Sequence, residues 1–142
     1  MKADLDTLRG FFAKSPFMVD LGVEPVAVAS GQLTTVLAIA RRHLQHTGVV
    51  HAGVMAAMAD HSMGAAAQTM AADGFWVLTA ELKTSLLRSG KGERLVCEAR
   101  VLKPGRNISF TEAEVWAEAA GQRTLVMKAS ATMALVAIQL QK

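Results

Sequence analysis

A carboxylate in the middle of an apolar helix needs a reason to be there. Asp60 sits among Ala56, Ala57, Met63 and Gly64, its neighbours at three and four residues, with Ala67 one turn further on. On such a surface a charge is costly unless it is paired or put to use. The small side chains around it also leave room for a bound molecule. Eight residues earlier, Ala52 and Gly53 stand where the same helix begins. Their amides are expected to be unpaired donors at the positive end of the helix dipole. Such donors suit a carbonyl oxygen that gains negative charge when its carbon is attacked. The bland alternatives are an aspartate that only reaches water or a cross-chain Arg or Lys, and helix-start amides of the kind every helix has.

Distance constrains how the two features can cooperate. Eight residues of helix span roughly 12 Å, so one reacting carbon cannot lie near both groups of one chain. If both act on it, two antiparallel helices from two subunits must lie side by side, each start facing the other's Asp60. A two-fold dimer supplies that arrangement and makes two identical sites.

Other reactive side chains are weaker candidates. Cys97 lies among strand apolar residues without an adjacent His or Lys to activate it, and reads as a core thiol. His43, His46 and His51 fall in one loop, but their spacing matches no standard zinc pattern and no cysteine supports them, so no metal is expected. His61 follows Asp60 directly. Adjacent helix residues point about 100° apart, so His61 reads as interfacial or buried, not as Asp60's catalytic partner. Trp76 and Trp116 read as packing residues, and the methionines as core filler.

The elements that must position these residues can be read in outline. Leu5, Leu8 and Phe12 give residues 3–14 the spacing of an amphipathic helix, stopped by Ser15-Pro16. Residues 21–28 look extended, Ser30-Gly31 reads as a hairpin turn, and Leu33, Thr35, Leu37 and Ile39 alternate as a strand should. Residues 41–50 read as a loop. Residues 54–72 form the long helix, rich in Ala and Met, closed by Asp73-Gly74 and apolar almost all round, hence buried on most sides. Gly64 within it suggests close packing on its face. Four strand-like segments follow, over 76–87, 93–103, 108–119 and 123–138, separated by the turns Ser89–Gly92, Pro104–Asn107 and Ala120–Gln122. Short turns imply antiparallel neighbours. The fold class is therefore α+β, a long antiparallel sheet wrapped around one helix, in a single domain over residues 1–142.

Composition narrows the partners. Apolar residues make up 51% of the 142 residues, ample for one core, while aromatics are only 5%. The net charge of +3 is spread over small groups such as Arg41–Arg42 and Arg88/Lys91/Arg94. With no basic stripe and no exposed stacking aromatics expected, a nucleic-acid role ranks last. The first residues carry acids and no continuous apolar run, so they do not read as a signal peptide, and no stretch passes for a membrane span. One cysteine means no internal disulfide. A soluble, cytoplasmic protein is expected.

The run VVHAGVMAAMAD, residues 49–60, resembles the HGG-x(6)-D signature of the PaaI-type branch of hot-dog-fold thioesterases, within the 4-hydroxybenzoyl-CoA thioesterase superfamily. The similarity covers nearly the whole chain and includes LTAELKTSLLRSGKGE and VLKPGRNISFTEAEV. It implies the hot-dog fold and hydrolysis of an acyl-CoA thioester. It matches Asp60 to the catalytic carboxylate and Ala52 to the residue whose backbone N–H polarises the thioester carbonyl. Gln45 falls where relatives place an assisting amide, and Thr79 where a hydroxyl helps orient the attacking water. His51 matches the motif histidine, more architectural than catalytic, and Gly53 completes the motif beside it. Lys103, Gly105 and Arg106 resemble the turn that contacts CoA, with Arg88 near its phosphates. A homo-oligomer is implied, either a dimer or a tetramer of two dimers, and no cofactor beyond the CoA of the substrate. The motif departs from the family in reading HAG, which keeps the amide provided the φ of Ala52 is negative or the strain is tolerated. The rival readings are a hot-dog enoyl-CoA hydratase or dehydratase, using a histidine with an acid, and a non-catalytic acyl-CoA-binding module.

Overall fold

The computed structural model describes residues 1–139, so the last three residues of the domain expected over 1–142 fall outside it. Six antiparallel strands form one sheet around a central helix, the hot-dog arrangement. The chain opens with helix α1 (Leu5–Ala13), whose N-cap Asp4 accepts the Thr7 amide. Pro16 does more than stop α1. With Ser15 extended before it, it opens a short helix α2 (Pro16–Leu21) that the sequence reading lacked, because proline's fixed φ suits a first helical position. Gly22 closes α2 at a φ of 81°.

Strands β1 (Val23–Ala29) and β2 (Gln32–Ala38) form the expected hairpin. The segment expected to be a loop over 41–50 contains one turn of 3-10 helix, Arg41–His43, and an isolated bridge between Leu44 and Val50. The central helix α3 runs Ala52–Gln68, starting two residues earlier and ending four earlier than expected. Thr69 caps it, and its hydroxyl accepts the Gly31 amide, tying the helix end to the β1–β2 turn. Met55, Met58 and Met63 of α3 belong to the core, as do Leu37, Leu95, Val115, Met127 and Met133 of the sheet. Flexible side chains of this kind fill the irregular space between a twisted sheet and a helix. Gly64 meets nothing on its open side within this chain, so the close packing expected there is not made by these residues.

The remaining strands are β3 (Phe75–Leu86), β4 (Arg94–Lys103), β5 (Ile108–Ala119) and β6 (Gln122–Ala137). The order across the sheet is β1-β2-β4-β5-β6-β3. The short Ser89–Gly92 connection therefore does not make β3 and β4 neighbours, contrary to the expectation from turn length. The link instead crosses the ends of β6 and β5. The Leu87 and Arg88 amides bond to Val126, and the Glu93 amide bonds to Glu118. Seven residues reach about 23 Å when extended, enough to cross three strand spacings of about 5 Å each.

Edge strand β3 carries a bulge at Ala80. Before it Thr79 pairs with buried Met133; after it Leu82 and Leu86 pair with buried Ala131 and Met127. One extra residue switches the parity of the strand. Thr79, Leu82 and Leu86 thus all face the helix side, whereas uninterrupted alternation would have put Glu81 and Lys83 there. Yet Leu86 is 55% exposed and Leu82 38%. Trp76, expected to pack, is 49% exposed. Among the described residues no helix is long and apolar enough to cross a membrane.

Candidate active site

The start of α3 is built by contacts anchored on two histidines. His43 is buried. Its Nδ1 accepts the Ala40 amide, and its Nε2 lies 2.7 Å from the Leu21 carbonyl, which requires the proton on Nε2. The His43 carbonyl accepts the His51 amide, and the Leu44–Val50 bridge closes the loop between them. His51 is the helix N-cap, and its Nδ1 accepts the Gly53 amide at 2.8 Å. Gly53 was expected to offer a second free amide; that donor is taken by the cap. A Cβ on Gly53 would come 2.9 Å from the same nitrogen, so the cap needs glycine there. The Ala52 N–H, by contrast, donates to no group among the described residues. Ala52 is not among the residues with positive φ, so alanine in the first motif position is unstrained.

Ala52 borders a pocket of about 320 Å³ shared with Gln45, Arg88 and Ser89 on the polar side. Val49, Met55 and Leu86 supply apolar lining. Gln45 enters through the closed loop, its side-chain amide donating to Thr47 at 2.7 Å. Arg88 donates to the Leu125 carbonyl at 3.1 Å, which holds the guanidinium beside the pocket. Four residues singled out by sequence therefore meet here: Gln45, Ala52 and Arg88 on the wall, and His51 fixing the helix start. The remaining lining residues, apolar apart from Ser89 and Gly90, carry no chemical signature in the sequence.

Asp60 lies elsewhere on α3, partly exposed, with Oδ1 accepting the Thr79 hydroxyl at 2.6 Å. Thr79 faces the helix side just before the bulge at Ala80 changes the parity of the strand. The Thr79 proton is thus directed at the carboxylate itself. Eight residues of helix, about 12 Å, separate this pair from the Ala52 amide.

Lys103, Gly105 and Arg106 form a third group. They sit in the β4–β5 turn, where the Gly105 amide donates to the Ser109 hydroxyl and any Cβ on Gly105 would overlap the Ile108 carbonyl. That turn adjoins the β1–β2 hairpin, since the Val101 amide bonds to Gly31. The Ala52 pocket lies toward the other end of the sheet, where Ala38 pairs with Arg94 and the chain turns toward α3. Ten residues of β4, about 33 Å, separate the ends, so one chain does not bring this turn to its own pocket.

Two other groups have settled roles. Burial pushes the Cys97 thiol up to about 12, against weaker hydrogen bonding from Ser62 and Thr35, which leaves it inert in the core. His61 packs against Phe11 and Phe12 of α1, at ring separations of 5.6 Å and 4.6 Å. Its Nε2 is buried without a partner among the described residues. Desolvation holds its pKa below the ordinary value, with the Asp60 charge pulling the other way. No three His, Cys, Asp or Glu side chains converge as metal ligands among the described residues.

A helix-start amide beside a pocket, a helix carboxylate and a sheet wrapped around both define a hot-dog enzyme scaffold. Residues 47–124, more than half of the chain, match the family model of the thioesterase superfamily, and the chain belongs to that family. None of the curated protein sequences matches it. Among solved structures it resembles a thioesterase family protein from Silicibacter pomeroyi, at 29% identity and a TM-score of 0.90, covering 93% of this chain and 97% of that one. A thioesterase from Haemophilus influenzae shares the fold at 21% identity and a TM-score of 0.88, over 99% and 95% of the two chains. The PaaI protein from the phenylacetic acid degradation operon of E. coli does so at 15% and 0.82, over 94% and 95%.

Proposed function

We propose that the chain hydrolyses acyl-CoA thioesters, with Asp60 of one subunit acting on a carbonyl held at the Ala52 amide of another. The observation that carries this reading is the split site: a free helix-start amide in a pocket, and a Thr79-held carboxylate 12 Å along the same helix. Membership of the thioesterase superfamily supports it.

Direction along the chain supports the two-subunit form. The Ala52 end of α3 shares its pocket with Leu86, at the end of β3, while Gln68 binds Phe75 and Val77, at its start. Helix and edge strand therefore run oppositely. Antiparallel pairing of two β3 edges about a two-fold axis brings each Asp60–Thr79 pair toward the other copy's Ala52 pocket. The same axis moves the second copy's Lys103–Arg106 turn to the end where Ala52 and Arg88 lie. It also covers Leu82 and Leu86, and an unpaired twelve-residue strand edge is a template for pairing.

In the proposed reaction the thioester carbonyl oxygen accepts a hydrogen bond from Ala52, with the Gln45 amide nearby. Asp60 either adds to the carbonyl carbon, giving an acyl anhydride that water then cleaves, or removes a proton from water that attacks directly. In both routes the carbon–sulfur bond breaks, and the sulfur leaves with a proton as free CoA. Thr79 occupies Oδ1 and leaves Oδ2 for this work. CoA is the handle of the substrate, and no separate cofactor enters the reading. Pairing of dimers into a tetramer and a cytoplasmic location belong to the same reading.

The test is release of free thiol from short, medium, long and aromatic acyl-CoAs by the wild type and Asp60→Asn. We expect Asp60→Asn to lose at least about a hundredfold in rate while eluting as the same oligomer. Near-wild-type turnover by the variant would sink the assignment. Hydration of crotonyl-CoA without thiol release would instead identify a hydratase, and tight binding without either reaction a binding module.

A further inference from the structure

The pocket at Ala52 has a rim and a floor that differ in burial. Gln45, Leu86, Leu87, Arg88 and Ser89 reach solvent. Val50, Met55 and Gly90 line the same pocket but are buried, Met55 to 3% and Val50 to 2% exposure, so they close it on the core side. Gly90 meets both of the others. The Val50 amide donates to the Gly90 carbonyl at 3.0 Å. A Cβ placed on Gly90 would lie 3.2 Å from the Val50 Cβ and 3.3 Å from the Met55 sulfur. Met55 is also three residues into α3 from Ala52, about 4.5 Å along the axis, and lines the same pocket as the free Ala52 amide. Arg88 and Ser89 make the charged and polar side suited to CoA, which leaves the floor to the acyl group.

We infer that Met55 sets the length of acyl group the site accepts. This inference rests on the thioesterase reading above. The thioether blocks deeper entry because it lies against Gly90 on the buried side of the pocket. Discrimination by such a wall is worth about 10–200-fold per methylene. Met55→Ala shortens the wall and admits longer chains. Gly90→Ala does the reverse, since the new methyl crowds the Met55 sulfur and Val50. Gly90 does not have positive φ, so alanine is allowed there by the backbone.

The experiment measures kcat/KM across a series of straight-chain acyl-CoAs for the wild type, Met55→Ala, Gly90→Ala and the Asp60→Asn control. The expected result is a ratio of long-chain to short-chain kcat/KM that rises at least about tenfold in Met55→Ala and falls in Gly90→Ala. If the larger cavity prevents folding, Met55→Val takes the place of Met55→Ala. Asp60-dependent hydrolysis with an unmoved chain-length profile in both variants would overturn the role of Met55 and leave the thioesterase reading intact. Absence of Asp60-dependent thiol release in the wild type would overturn that reading, and this inference with it.

Discussion

Asp60 and His61 are adjacent in sequence, but adjacent helix positions point about 100° apart, so they meet different surroundings. Asp60 turns to the Thr79 hydroxyl on the open side of α3, whereas His61 turns under α1, between Phe11 and Phe12. The placement of Asp60 was legible because a carboxylate among alanines is anomalous. The floor of the pocket was not, because Val50, Met55 and Gly90 look like any core residues until they are seen beside the Ala52 amide. His61 has a measurable consequence. Burial holds its pKa below 6.5, so between that value and the lower folded one the unfolded chain binds a proton that the folded chain refuses. Stability therefore falls as pH drops below about 6.5, and is fully retained above it. His61→Phe removes the buried unpaired nitrogen, whose cost is about 1–3 kcal/mol, and is expected to be at least as stable at pH 7.5. Its Tm should also drop less than that of the wild type between pH 7.5 and 5. Parallel Tm–pH curves for the two proteins would count against this account of His61.

At the scale of elements, composition was enough for α3 and for the strand segments, since an alanine- and methionine-rich helix and alternating β runs are strong local signals. The start of α3 was read two residues late because a histidine cap lacks the usual Ser, Asp or Asn signature. The place of β3 was not legible at all. A link of seven residues is long enough to cross strand ends as well as to turn back, and local sequence does not say which. The bulge at Ala80 is likewise visible only through pairing with β6. The cap itself can be tested apart from catalysis. His51→Ala loses the hydrogen bond to the Gly53 amide, and should cost about 1 kcal/mol, read as a lower urea midpoint at unchanged slope. Asparagine is a good N-cap, so His51→Asn should keep most of the stability and turn over acyl-CoA within about tenfold of the wild type. Equal loss of turnover in both variants, with His51→Asn fully stable, would mean that the imidazole takes part in the chemistry.

At the scale of the whole molecule, the uncovered faces and the split site point the same way. Leu82 and Leu86 on the helix side of β3 are exposed, Gly64 on α3 meets nothing, and the amide and the carboxylate cannot reach one carbon from a single chain. A mixed-subunit experiment tests whether these facts share one cause. Ala52→Pro deletes the proposed oxyanion donor with little harm to the helix, because Ala52 is its first residue and proline is favoured there. His51 already has the extended backbone, φ −62° and ψ 134°, that a following proline requires. Alone, Ala52→Pro and Asp60→Asn are each expected to be inactive. In a mixed dimer, one site joins the intact Ala52 of the Asp60→Asn chain to the intact Asp60 of the Ala52→Pro chain. Random exchange makes about half the dimers mixed with one working site each, so about a quarter of wild-type activity should return. The two proteins would be unfolded together, refolded at equal concentration and assayed for thiol release. A mixture as inactive as its parents, with exchange confirmed by mass, would place the amide and the carboxylate of each working site in the same chain. The 12 Å separation along α3 would then have to be bridged by a movement of the chain.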